Sequence, residues 1–251
     1  MNGGNFTDRA GDRFPTTHRS VVASARSSDP EERQRAFEVL ISTYWKPVYK
    51  YIRLRWRKSP EDSSDATQEF FTRVLEKGFL DPYDPARARL RTFLRVCVDG
   101  VVANLDKAAR RIKRGGEVEL LSLDFELAEG ELARIEPPAP DRLEDFFEKE
   151  LARSLFALAV EQLRAECEAR GKRAHFQIFE RYDLQGGADG RGVTYAELSA
   201  QLGVPVTDVT NHLAYARREF RRIVLEKLAQ MCATPEEYRL EARSLLGIEP
   251  E

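Results

Sequence analysis

Between Thr207 and Arg222 the sequence places short polar side chains, Thr207, Thr210 and Asn211, ahead of Ala214, Tyr215 and four arginines, Arg217, Arg218, Arg221 and Arg222. Wound into a helix, these share an outer side, while Val206, Val209, Leu213, Ala216, Phe220 and Ile223 repeat at three-to-four spacing on the other. That combination suits nucleic acid. Small hydrogen-bonding groups at a helix start can reach base edges in a major groove, and guanidiniums farther along can hold phosphates. Other chemistries are poorly supplied. The histidines, His18, His175 and His212, and the cysteines, Cys97, Cys167 and Cys232, are scattered without metal-ligand or disulfide spacing. The glycines of "QGGADGRG", residues 185–192, lack the lysine and the strand of a nucleotide loop. No nucleophile has a base partner, and no carboxylates pair at a metal-binding spacing. The expectation is no catalytic residue, no metal and no cofactor, with His212 a plain edge histidine and the thiols buried.

The elements that must position this arginine helix are legible just before it. Thr194 can cap a helix whose third residue, Glu197, reaches back to the Thr194 amide. Tyr195, Leu198 and Leu202 then share a face, and Gly203 supplies the left-handed residue that ends the helix. Pro205 lies near the first turn of the next helix, and Asp208 puts negative charge where that helix dipole favours it. A capped helix, a glycine turn and a second, arginine-bearing helix predict a helix-turn-helix.

The whole chain is predicted to be all-α. "DPEE" at Asp29, "SPED" at Ser59 and "TPEE" at Thr234 each set a capping side chain before proline and acids, and no segment alternates like a strand. Its 251 residues suffice for two domains. The first helical block, 30–114, carries Phe37, Leu40, Ile41, Tyr44, Val48, Tyr51 and Ile52, then Ala66, Phe70 and Val74, then an apolar helix from Leu90 to Leu105. Residues 115–142 lose periodicity and read as a linker, residues 143–229 form the second block, and 1–29 and 230–251 are extensions, the latter helical. The net charge is only −2, yet Glu117 to Glu150 holds twelve acids against three bases, while Arg87 to Arg114 and Arg217 to Arg222 are basic. Two basic surfaces joined by an acidic tether fit two nucleic-acid contacts separated by a segment that imitates nucleic acid or repels it. With no apolar run long enough for a bilayer and no secretory signal at the N-terminus, a cytoplasmic protein without membrane contact is expected.

The helix pair "YAELSAQLGVPVTDVTNHLAYAR" resembles the C-terminal DNA-binding region of bacterial RNA polymerase sigma factors of the extracytoplasmic-function type, where a helix, "LG", a short turn and a helix ending in "AR" recur. The first block looks like region 2 of the same family, with an aromatic-rich first helix, a "PED" start, "DATQEFFTRVL" in place of the D-x-x-Q-E-x-F signature, and the arginine-rich "RLRTFL". "FPTT" and "LSLDF" are similar to segments of a large-chain subgroup. The resemblance implies two helical domains, a region 2-like one and a helix-turn-helix region 4-like one, joined by the acidic linker. It also implies a non-enzymatic subunit that binds core RNA polymerase and directs it to promoter DNA. Asp65, Gln68, Glu69, Thr72 and Arg73 would then grip the clamp helices of the largest polymerase subunit. Arg91, Arg95, Asn104, Lys107, Arg110 and Arg111 would melt and hold the downstream promoter element, with a base pocket within residues 78–88. The acidic linker would face the polymerase's positive interior, and an anti-sigma or other regulatory protein is a further partner. Thr210, Asn211 and His212 depart from the basic residue, serine and arginine common in relatives, and Pro205 replaces the capping serine, so the promoter sequence is not read from this helix. The competing reading is a stand-alone helix-turn-helix regulator whose first block dimerises or senses, a protein with no need of "DATQEFF".

Overall fold

In the computed structural model the described residues are 20–76, 78–109, 122–185 and 193–249. Among them all regular structure is helical: ten α-helices and no strand. They are α1 (Val21–Ala25), α2 (Pro30–Arg55), α3 (Pro60–Leu75), α4 (Leu90–Ala109), α5 (Phe125–Leu132), α6 (Leu143–Ala169), α7 (Arg173–Phe179), α8 (Tyr195–Leu202), α9 (Val206–Met231) and α10 (Pro235–Leu246). A wide turn, Glu180–Gln185, extends α7. No helix among the described residues is long and apolar enough to cross a membrane. The N-terminal extension before residue 20, Arg110 and Arg111, the first part of the linker and the glycines of the 185–192 loop lie outside the described residues.

The three starts expected from sequence form as the cap chemistry dictates. The side chains of Asp29, Ser59 and Thr234 accept from the amides of Glu31, Asp62 and Glu237, and each is followed by a proline whose missing N–H is not needed there.

The chain divides into two compact units, and the division falls inside α6 and α9. The larger joins residues 14–155 to 228–250. Its core takes Phe37, Leu40, Tyr44, Val48, Tyr51 and Ile52 from α2, Phe70, Phe71 and Val74 from α3, and Leu94, Val98 and Val102 from α4. Phe147 and Leu151 of α6 and Met231 at the end of α9 complete it. The Phe147 ring lies 6.5 Å from that of Tyr44 and 5.7 Å from that of Tyr51. Each such ring, removed from water, contributes about 1.5–3 kcal/mol. The first residues of the second sequence block, and the extension after 229, therefore belong with the first block rather than with residues 156–227. The smaller unit, residues 156–227, buries Ala159 and Leu163 of α6, Phe176, Ile178 and Phe179 of α7, Leu198 of α8, and Val209, Leu213, Ala216 and Ile223 of α9.

The expected linker contains α5, which sequence periodicity does not reveal. Asp124 caps it, accepting from the Leu127 amide, and only Ala128 is buried along its length. Contacts with α2 stabilise it instead. Phe125 sits 4.9 Å from the Tyr49 ring and 5.9 Å, edge-on, from Trp45. Glu129 accepts from Tyr49 and from Arg53, and Glu131 accepts from Lys46 at 2.6 Å and Lys50 at 2.8 Å. The compensating acid of the linker is thus spent partly on the chain's own bases.

Candidate nucleic-acid interface

The helix pair of the smaller unit has the local geometry its sequence predicts. Thr194 Oγ1 accepts from the Glu197 amide at 3.2 Å, and the Glu197 carboxylate accepts from the Thr194 amide at 2.7 Å. The Thr194 amide, and the Thr194 hydroxyl that donates to the same carboxylate at 2.9 Å, hold the Glu197 carboxyl below its ordinary range. Gly203 ends α8 at φ 65°, and its amide donates to Ser199. Pro205 stands one residue before α9 and its carbonyl accepts the amides of Asp208 and Val209. Val206 departs from the expected inner face: it is 47% exposed, whereas Val209, Leu213, Ala216 and Ile223 are buried.

On the outer side, Thr207, Thr210, Asn211, Ala214 and Arg218 are all exposed, at spacings of three, one, three and four residues. They form one open stripe. The arginines of the sequence cluster do not behave alike. Arg218 keeps half its side chain in water, 51%, with a loose 3.9 Å contact to Glu219 and its guanidinium 5.5 Å from the Tyr215 ring. Arg217 is held by Asp183 through two bonds, at 2.9 and 2.6 Å, and lies over Tyr182. Arg222 is surrounded by Glu166, Glu219 and Glu226, at 2.7, 3.1 and 2.8 Å. Arg221 is half-buried. Ion pairing, invisible to periodicity, separates the phosphate candidates into an open Arg218 and braced Arg217 and Arg222.

Tyr215 gathers cations. Its hydroxyl accepts from Arg170 at 3.2 Å, and the Lys172 ammonium sits 3.7 Å from its ring centroid. His175 packs edge-on to it at 5.1 Å and stacks on His212 at 3.8 Å. His212 is therefore part of a ring stack joining α7 to α9 rather than a plain edge residue. Both Nδ1 atoms are buried without a hydrogen-bond partner. Burial, then the His212 ring and Lys172, push the His175 imidazole down to about 4. Sequence offered no signal for this pair, 37 residues apart, beyond the rarity of histidine.

In the larger unit, α3 presents Asp65 exposed and Glu69, Thr72 and Arg73 half-buried, while Gln68 is buried. Arg73 pairs with Glu69 one turn back at 2.7 Å, and Thr72 donates to the Gln68 carbonyl. On α4, Asn104 and Lys107 are exposed, as a nucleic-acid face requires. Arg91 and Arg95 are not. Arg91 is 4% exposed and bonded to Glu241, to Glu148 at 2.8 Å and to Ser244 at 3.2 Å, and Arg95 is paired with Glu144. The loop within residues 78–88 is shaped by Arg26, whose guanidinium donates to the carbonyls of Leu80 at 2.5 Å and Tyr83 at 3.0 Å. A cavity of about 170 Å³ opens beside that loop, lined by Arg26, Arg33, Phe37, Phe79 and Asp81 among others.

No group of three or more His, Cys, Asp or Glu side chains among the described residues could hold a metal ion. Cys167 and Cys232 are buried and Cys97 half-buried, and burial pushes all three thiols up. Compared with protein-family models, with curated proteins and with solved structures, the chain matches none.

Proposed function

We propose that this protein is a sigma-like transcription initiation subunit. It binds core RNA polymerase through the polar side of α3, reads promoter DNA with α9, and opens the duplex with α4, without catalysing a reaction itself. The observation that carries the DNA-binding half is the open stripe Thr207, Thr210, Asn211, Ala214 and Arg218, set on a helix whose approach is fixed by the Thr194 capping box and the Gly203 turn. The polymerase half rests on the resemblance of "DATQEFFTRVL", whose Asp65 carboxylate stands in water on a helix that buries Ala66, Phe70, Phe71 and Val74 on its other side. In this reading Arg218 is the chief phosphate contact, while Arg217 and Arg222 hold α9 rigid against Asp183 and Glu166. Asn104 and Lys107 are the open α4 contacts.

Reconstitution with core polymerase, followed by mapping of promoter-dependent transcripts, tests this reading. Asp65→Arg is expected to abolish co-purification with the polymerase at unchanged helix content. Arg218→Ala is expected to weaken duplex binding and reduce the slope of log affinity against log salt by about 0.9, the share of one phosphate. A chain that ignores the polymerase yet binds a duplex site alone would be a stand-alone helix-turn-helix regulator instead.

A further inference from the structure

The C-terminal extension packs where the proposed function needs open arginines. Helix α10 follows α9 after a short connection, Cys232–Thr234, and brings Glu237 and Glu241 to the start of α4. Glu237 accepts the Leu90 amide at 3.1 Å, the Tyr83 hydroxyl at 2.7 Å and the Ala233 amide at 2.7 Å. Glu241 is bonded to Arg91 and lies 3.3 Å from Arg89 Nε. Glu148 of α6 closes the far side of Arg91. Three carboxylates thus meet two guanidiniums and a backbone amide at the first turn of a 20-residue helix.

This arrangement is what a phosphodiester strand would otherwise meet, because an oxyanion bridging a helix N-terminus and two arginines is a preferred partner for such donors. The carboxylate site is imperfect for its occupants. Glu241 Oε1 is buried and has no hydrogen bond, only the ionic contact with Arg89. Burial pushes its carboxyl up to about 7 despite both arginines. Meanwhile α10 keeps Leu240 half in water and is anchored through Tyr238 and Ala242 alone among its apolar side chains that are fully buried. A charge held in a poorly solvated place is a contact that a better-matched anion can displace.

We propose that α10 is an acidic clasp: in the free chain its Glu237 and Glu241 occupy the phosphate-binding donors of α4, and Arg89 and Arg91 reach single-stranded nucleic acid only when α10 lifts. The clasp rests on the reading of α4 as a DNA-facing helix. It explains why the most buried arginine among the described residues lies in the segment expected to be basic and open. It also gives the helical extension a role as a competitor of the strand that α4 receives.

The test uses the full chain and a fluorescent single-stranded oligonucleotide. Glu241→Gln keeps the side-chain volume and removes the charge. Its affinity is expected to rise at least about fivefold, the lower end of a typical coupling between two sites. Its salt slope should steepen by about 0.7 for each arginine released, about 1.4 for both. In Arg89→Gln/Arg91→Gln/Glu241→Gln that gain should vanish, and a gain that persists there overturns the clasp. Hydrogen exchange on the unaltered chain supplies a readout independent of whether variants fold: saturating oligonucleotide should accelerate exchange across 235–246. Bound oligonucleotide with α10 still fully protected overturns the clasp, as does a Glu241→Gln chain that binds no oligonucleotide. Co-purification with core polymerase separates the two ideas. A chain that binds polymerase and DNA with α10 protected loses only the clasp, and a chain whose α10 is loosened by DNA but which never binds polymerase loses only the sigma-like function.

Discussion

Lys50 offers the sharpest test of how the larger unit is held together. Its ammonium is 2% exposed and sits 2.6 Å from Glu150, itself 2% exposed, and 2.8 Å from Glu131. Lys50→Met keeps the apolar stem but strands the Glu150 carboxylate in the core with only Arg153, whose side chain is mostly in water. Breaking a buried pair from one side costs about 3–5 kcal/mol, and the remaining Arg153 contact places this case near the lower figure. Replacing both partners, Lys50→Met/Glu150→Gln, removes the stranded charge and should fall within about 1 kcal/mol of the parent, a recovery of about 2–3 kcal/mol over Lys50→Met alone. Glu131 remains paired with Lys46 in either variant. The assay is urea denaturation followed by tryptophan fluorescence. Both tryptophans, Trp45 and Trp56, belong to the larger unit, so the signal reports that unit alone. A Lys50→Met loss below about 1 kcal/mol, or a double variant as unstable as the single, would refute the reasoning that Glu150 depends on Lys50 for its charge.

Other outcomes follow from the smaller unit. His175 has its folded pKa depressed to about 4 from an ordinary 6.5, so the native state binds fewer protons than the unfolded one. Its contribution is complete above pH 6.5 and is lost as pH falls toward 4. The 2.5-unit gap corresponds to at most about 3.4 kcal/mol, and partial exposure of the ring reduces this to about 2. His175→Phe should flatten that part of the stability–pH curve measured by circular dichroism. Gly203→Ala meets no atom within 4 Å, so its cost is the left-handed φ of 65° alone, about 1 kcal/mol. It should appear as faster hydrogen exchange in α8 at unchanged exchange in α2.

How much was legible beforehand varied with the range of the interactions involved. The caps at Asp29, Ser59, Thr194 and Thr234 and the glycine turn at 203 could be read because a cap joins residues two or three apart, and the sequence displays both ends of the bond. Helix α5 could not, because its stabilising partners, Tyr49, Lys46, Lys50 and Arg53, lie about 80 residues upstream and its own apolar pattern is thin. The exposed stripe of α9 was visible as a periodicity, but the division of its arginines into open and braced was not. Asp183, which holds Arg217, lies 34 residues earlier, and Glu166, which holds Arg222, lies 56 residues earlier.

Sequence alone determined that this chain is helical, where most helices begin, and which side of α9 meets water, since each depends on bonds and spacings within a few turns. Only the tertiary structure decided which charges are available. Arg91 and Lys107 are both cations on α4, yet one is enclosed by carboxylates from α6 and α10 and the other is exposed. The physical reason is that an ionised side chain must find either solvent or an opposite charge, and which of the two it finds depends on elements as far as 150 residues away.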